Sequence, residues 1–329
     1  MSESPEVLKP LKTWSHLAKN RRRPSEYDIT SVRLHTSMNN PDKPWEMDTN
    51  LHMNQWYLKH RNNSPLQHED WDTFRDPDAI VYRTYNIMQD GQETYVKSLL
   101  DQFNEREHDK AIDNEWVGTL AKLYTPARYV FHALQMGSAY IGQMAPASTI
   151  TNCSTFQAAD SHRWLTHTAY RTYELSLTHP DAGFGQDERK IWEEDEAWQG
   201  FRELTEKALI AWDWGEAFCA INLVLKPAVE AALLHQLGEA GRHHSDTLLG
   251  MLCDSQCRDS ERHMRWSKAL VDLALENSEN KTVLNSWMDK WMPLGINAVE
   301  KYCAELPDSA EAINNAKAAM EKSRENLGI

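Results

Sequence analysis

The sequence predicts an all-α fold: a bundle of helices well above average length, entered through an extended N-terminal arm. Three observations predict it. Glycine and proline are scarce, 13 of each in 329 residues, so little punctuates the helical periods. No Asn-Gly hairpin and no alternating β-branched run argues for a sheet. Seven of the 13 prolines fall before residue 85, among aromatic residues scattered without helical period.

Residues 1–85 therefore read as an arm without a core of its own, and residues 86–329 as the bundle. Trp14, Trp45 and Trp56 are aromatic anchors by which such an arm docks on another subunit. Arg21, Arg22 and Arg23 close a basic run in a chain of net charge −14. A solvated run is its plain reading, and contact with an acidic partner surface its sharper one. The first long helix is expected over Gln92–Glu107. Asp113 or Asn114 caps the next, which runs to about Met144 and is kinked by Pro126. Pro146 ends it, and Ser148 or Thr149 caps a stretch without Gly or Pro from Ala147 to His179, about 50 Å long as a helix. Residues 180–183 are a turn. A helix from Trp198 to about Leu237 follows, interrupted near Pro227. Met251 to Met292 is again free of breakers and divides at Asn277–Asn280, and a final pair flanks Pro307.

Composition excludes several classes. With 35 Lys+Arg against 49 Asp+Glu, there is no whole-chain nucleic-acid footprint. Unbroken apolar runs reach only about five residues, so no membrane-spanning helix is expected. The opening MSESPEVLKPLK lacks the apolar segment of a secretory signal. Five cysteines, an odd number, fit a reducing cytoplasm. Thirteen tryptophans point to filled cores and interfaces. There is no Walker loop, no Gly-x-Gly-x-x-Gly and no nucleophile elbow, so no nucleotide site is expected.

One pattern occurs twice, in the middle of each breaker-free stretch: Asp160-Ser161-His162-Arg163-Trp164 and Asp259-Ser260-Glu261-Arg262-His263. In carboxylate-bridged di-iron bundles, two helices supply one Glu each and two others supply Glu-x-x-His, whose side chains share a face. On that template Ser161 and Ser260 take the Glu positions, and Trp164 and His263 the His positions. Serine is a poor iron ligand without a carboxylate nearby, and indole offers no lone pair. The pattern reads as a di-iron scaffold without its metal.

The segments PLKTWSHLAKNRRRPSEYDI, FRDPDAIVYRTYN, APASTITNCSTFQAADSHRWLTHTAYRTYELS, WDWGEAF and DSERHMRWSKALV carry a resemblance that spans essentially the whole chain. The chain resembles the β subunit of the hydroxylase in bacterial multicomponent monooxygenases of the toluene/o-xylene group. The resemblance implies a ferritin-like, ribonucleotide-reductase-like bundle whose metal ligands are lost. It implies a catalytic α subunit holding the di-iron site, a γ subunit, and a second β copy in a dimer of αβγ trimers. A small effector protein, a ferredoxin and a reductase complete such systems, with NADH, FAD and iron–sulfur clusters on the electron-transfer partners. The reaction is NADH- and O₂-dependent hydroxylation of an arene, or epoxidation of a small alkene such as isoprene.

Catalytic relatives write Asp-Glu-x-Arg-His at both sites. Carried over, Asp160 and Asp259 match the Asp that holds a ligand imidazole, and Arg163 and Arg262 the Arg beside it. Family spacing puts Phe131 at the first lone Glu and the second near Gly215 or Glu216. The wiring is expected to outlive the metal, with Asp160 accepting from His263 and Asp259 from the Trp164 indole. Two other readings stay open: a self-sufficient metal oxidase around Glu216 and His263, and a helical ligand carrier using a cavity between Phe131 and Trp164. Glu105-x-x-His108 reads as a solvated helix end, Cys253 and Cys257 as packing thiols, His243 and His244 as surface, and Trp212 and Trp214 as core or interface filler.

Overall fold

The computed structural model describes residues 24–34 and 50–329. Among these the regular structure is helical throughout; Trp14, Arg21, Arg22, Arg23 and Trp45 lie outside the described residues. The helices are α1 (Glu26–Ser31), α2 (His52–Tyr57), α3 (Tyr82–Glu105), α4 (Asn114–Thr119), α5 (Ala127–Met144), α6 (Ser148–Thr178), α7 (Glu188–Glu194) and α8 (Glu196–Ala208). Then come α9, which runs Trp214–His243, α10 (Thr247–Ala274), α11 (Glu279–Cys303) and α12 (Ser309–Leu327).

Most boundaries follow local chemistry. Asp113 caps α4 by accepting from Trp116 N at 2.9 Å. The break between α10 and α11 falls where Asn280 Nδ2 donates to Ala274 O at 2.7 Å. Other boundaries correct the sequence reading. Helix α3 starts at Tyr82 rather than Gln92, because Val81 N donates to Thr84 Oγ1 at 3.0 Å and the exposed Gly91 costs a helix only about 1 kcal/mol. Helix α3 thus starts four residues ahead of the boundary at 86. Ser148 does not cap α6; its hydroxyl donates to Ser31 O at 2.7 Å and ties α1 to the bundle.

The stretch expected as one helix from Trp198 is two. Helix α8 stops at Ala208, and Asp213 starts α9 by accepting from Gly215 N and Glu216 N, both at 3.0 Å. Conversely, α9 is not interrupted at Pro227. It widens into π turns over Cys219–Leu225 and Glu230–Gln236, so the missing N–H of Pro227 falls in a ladder already loosened around it. Helix α9 is also long and apolar enough to cross a membrane, contrary to the expectation from unbroken runs, but 94% of its apolar window is buried in the fold. It is the central helix. Helices α5, α6, α8, α10, α11 and α12 surround it, and its side chains Phe218, Leu223, Val224, Leu225 and Val229 anchor the main core.

The described parts of the arm pack on this chain's own bundle. Within the arm, Asp76 N donates to Tyr27 Oη at 2.9 Å; against the bundle, Ser64 Oγ donates to Asp213 Oδ1 at 2.8 Å, and Leu66 and Phe74 are buried in the main core. Trp71 meets Trp214 edge to face at 5.1 Å. The arm therefore borrows the bundle's core.

Candidate functional site

The two repeats bring their residues together between α6 and α10. Asp160 Oδ2 lies 2.7 Å from His263 Nε2 of the other repeat, and Asp259 Oδ2 accepts from Trp164 Nε1 at 3.1 Å. The two expected crossed bonds are both present. The arginines cross as well: Arg262 donates to Asp160 Oδ2, and Arg163 Nη1 to Asp259 Oδ2 at 3.1 Å. All eight residues of the two patterns' Asp, Ser, Arg and ring positions sit on α6 or α10, so one motif written twice builds both halves of an exchange.

Helix α3 closes the exchange with two residues that the sequence reading missed. Gln89 Nε2 bridges Asp160 Oδ1 at 2.7 Å and Asp259 Oδ1 at 2.9 Å, and Tyr85 Oη donates to Asp160 Oδ1 at 2.8 Å. Asp160, on α6, thus meets donors from two other helices. Burial raises its carboxyl above the ordinary value, and Arg262, Tyr85 and Arg163 pull it back. Burial, followed by the charges of Lys226 and Arg262, holds the His263 imidazole well below its ordinary value and therefore neutral. Since a carboxylate only accepts, Nε2 of that neutral ring carries the proton and Nδ1 the lone pair.

The centre between the repeats is filled. Phe131 on α5 meets Trp164 edge to face at 5.7 Å, and both are buried. Ser161 turns back to its own helix and donates to Gln157 O at 2.9 Å. Ser260 faces the centre, but as a partner of Lys226, whose Nζ donates to its Oγ at 2.6 Å. Ser260 in turn donates to Glu230. The Lys226 ammonium also lies 5.4 Å from the centroid of the Trp164 ring, a favourable cation–π placement. Burial draws this lysine down to about 8, against the pull of Glu230, Asp160 and Asp259. Burial raises Glu230, but hydrogen bonding from His235 and the charge of Lys226 outweigh it and hold the carboxyl at about 2.

This corrects the fourth position. Gly215 packs against Leu66, and Glu216 turns away, accepting from Trp291 Nε1 at 3.1 Å and Lys290 Nζ at 2.6 Å. The part of α9 that faces the repeats is Asn222, Lys226 and Glu230. Asn222 Nδ2 donates to Gln157 Oε1 at 3.0 Å and Ser267 Oγ at 2.9 Å. In a regular α-helix, residues eight apart are rotated by about 80°; the π turns take up part of that drift. The available signal was a polar residue at every fourth position in an otherwise apolar helix.

These residues do not fit iron. A phenyl ring, an indole N–H and an ammonium have no lone pair to give, and one hydroxyl is committed to its own backbone. His263 and Glu230 alone are too few for a paired-iron centre.

The lesser candidates sort differently. His108 is not at a solvated helix end. Its Nε2 lies 3.2 Å from Asp246 Oδ1, and Asp246 also accepts from Arg171 Nη2 at 2.8 Å and Trp116 Nε1 at 3.1 Å. Burial opposes ionisation of Asp246, but Arg171 and His108 hold its carboxyl well below the ordinary range. Cys253 is buried and Cys257 half-buried. His243 closes α9, while His244 stacks on Trp116 at 4.8 Å. Trp214 is core, whereas Trp212 is 47% exposed and packs at 5.1 Å on Trp56. Trp56 Nε1 donates to Tyr140 Oη at 3.1 Å, so this arm anchor docks on its own bundle.

Comparison with known proteins places this architecture. The methane/phenol/alkene hydroxylase family model matches residues 56–278. The chain is 59% identical over 301 residues, 92% of either chain, to the hydroxylase component subunit beta of the toluene-4-monooxygenase system of Ectopseudomonas mendocina. It is 24% identical, over 86% of each chain, to an oxygenase component of phenol 2-monooxygenase from Acinetobacter pittii. Among solved structures, one of toluene 4-monooxygenase with toluene in its resting active site superposes with TM-score 0.87 and 57% identity, covering 94% of this chain and 99% of the other. With the family model matching residues 56–278 and 59% identity running over 92% of its length, the chain belongs to the methane/phenol/alkene hydroxylase family.

Proposed function

We propose that this chain is the non-catalytic β subunit of the hydroxylase of a cytoplasmic, multicomponent, NADH- and O₂-dependent monooxygenase that hydroxylates aromatic hydrocarbons. One observation carries the reading: in a chain 59% identical to a hydroxylase β subunit, an ammonium, an indole, a phenyl ring and two hydroxyls stand where a paired-iron centre would need carboxylates and imidazoles. In this reading the di-iron site lies on a partner α subunit, with a γ subunit and a second β copy completing a dimer of αβγ trimers. Effector, ferredoxin and reductase act on that assembly and carry the FAD and iron–sulfur clusters. The chain contributes a rigid surface. Exposed Tyr82, Ile87, Tyr170, Tyr173 and Leu177 on α3 and α6 give the apolar area that an obligate partner covers. An arene substrate follows the toluene and phenol of the relatives' names.

The test is purification of the full chain alone and together with candidate α and γ chains. Iron and NADH-dependent arene hydroxylation are expected only with the partner, and iron is expected to fractionate with it. Stoichiometric iron with O₂ consumption on the lone chain would overturn the reading in favour of a self-sufficient oxidase. A tightly retained apolar molecule would favour a carrier.

A further inference from the structure

We propose that Lys226 is a built-in cation that takes the place of the metal in this bundle and denies divalent ions a pair of donors the chain has kept, His263 Nδ1 and Glu230. The inference rests on the non-catalytic reading and adds to it how the centre stays both filled and closed to metal.

Three observations carry it. The first is position. Lys226 is only 2% exposed, reaches α10 through Ser260 at 2.6 Å and reaches α6 through the Trp164 ring at 5.4 Å. It therefore spans the two repeats. The second is charge. Asp160 and Asp259 are buried and held by Arg262 and Arg163, while the half-buried Glu230 has two cationic neighbours, buried Lys226 on its inner side and exposed His235 at 3.7 Å. With His263 neutral, Lys226 is the buried cation on the inner side of Glu230, and removing one partner of a buried charge pair is destabilising. The third is an orphan. His263 is 1% exposed, its Nε2 is committed to Asp160, and its Nδ1 has no hydrogen-bond partner. His263 and Ser260 are three apart on α10 and share a face, and the imidazole lies close enough to Lys226 and Glu230 to feel both charges. A buried imidazole held by a carboxylate through one nitrogen, with the other nitrogen bare, is the arrangement of a metal-ligating histidine. A fixed ammonium repels any cation that approaches it.

The experiment uses the full-length chain and four proteins: wild type, Lys226→Met, Lys226→Glu, and Lys226→Glu combined with His263→Ala. Each is dialysed against Co²⁺ as the probe, and bound metal, the visible Co²⁺ spectrum and thermal midpoint are read. Wild type is expected to hold no stoichiometric Co²⁺. Lys226→Met, which keeps the volume and removes the charge, is expected to melt earlier. Lys226→Glu is expected to bind about one equivalent with a protein-ligand Co²⁺ spectrum, at least about tenfold more tightly than wild type, and to gain thermal midpoint as Co²⁺ rises. Adding His263→Ala should abolish that binding.

Two results would overturn the proposal: a Lys226→Met protein as stable as wild type, or Lys226→Glu folded without cobalt uptake. Should Lys226→Glu fail to fold, Lys226→Met still decides through its stability. Stoichiometric iron on the wild-type chain as purified would instead overturn the non-catalytic reading. A metal-free wild type with indifferent Lys226 variants removes only the lysine's role.

Discussion

At Trp164 the indole N–H reaches Asp259 at 3.1 Å, and the ring face carries the Lys226 ammonium at 5.4 Å, so one side chain serves two neighbours of opposite charge. Replacing it with phenylalanine keeps a ring but removes the donor, leaving Asp259 Oδ2 with Arg163 alone at 3.1 Å. Loss of a buried partner of this kind costs about 1–3 kcal/mol. Trp164→Phe should therefore lower unfolding free energy by that amount in urea. Trp212→Phe, at a ring 47% exposed, should change it by less than about 0.5 kcal/mol. Equal effects would mean that the crossed bonds carry no stability. The residues of this exchange were legible because the Asp-Ser-x-Arg-ring pattern is short, local and repeated. His108 was not. Its run EREHDK looks solvated from its neighbours, and what engages it is Asp246, far along the chain.

Helix existence was legible from the absence of breakers, because periodicity and caps act over a few residues. Helix α6 matches its Gly- and Pro-free stretch almost end to end. Register within α9 was harder to read: Asn222, Lys226 and Glu230 recur at every fourth position, but π turns on either side of Pro227 change which side chains share a face. Lys226 and Glu230 were missed for that reason. Packing between elements adds another constraint that pattern does not reveal. Helices α8 and α11 approach so closely at Gly200 that a Cβ there would lie 2.6 Å from Ala298 Cα and 2.9 Å from Asn297 O. Those are backbone atoms, which cannot swing aside, so Gly200→Ala must push the helices apart. Although alanine is the better helix former, overpacking of this sort costs about 1–3 kcal/mol. The expected outcome is a lower thermal midpoint, whereas Gly91→Ala, in open space on α3, should raise it slightly. A stabilised Gly200→Ala protein would show that the α8–α11 contact is softer than its geometry.

On the scale of the whole molecule, a chain of net charge −14 carries a basic N-terminal run closing in Arg21, Arg22 and Arg23, and the described arm beyond it is already secured. Tyr27 is held at Asp76, Glu26 at Arg83 through a 2.7 Å ion pair, and Leu34 N at Ser148 Oγ. Removing residues 1–23 therefore leaves these anchors in place, and the thermal midpoint of the lone chain should not move. If the proposed assembly uses the basic run against an acidic partner surface, the same truncation should weaken co-purification with the α subunit. The deficit should grow smaller as salt rises, because salt screens the contribution that the truncation deletes. Metal content of the assembled hydroxylase, per complex recovered, should stay constant, since the residues named in the polar exchange between α6 and α10 all lie beyond residue 84. A truncated chain that assembles with full-length affinity and the same salt dependence would place the docking surface on the exposed faces of α3 and α6 instead, leaving the basic run solvated.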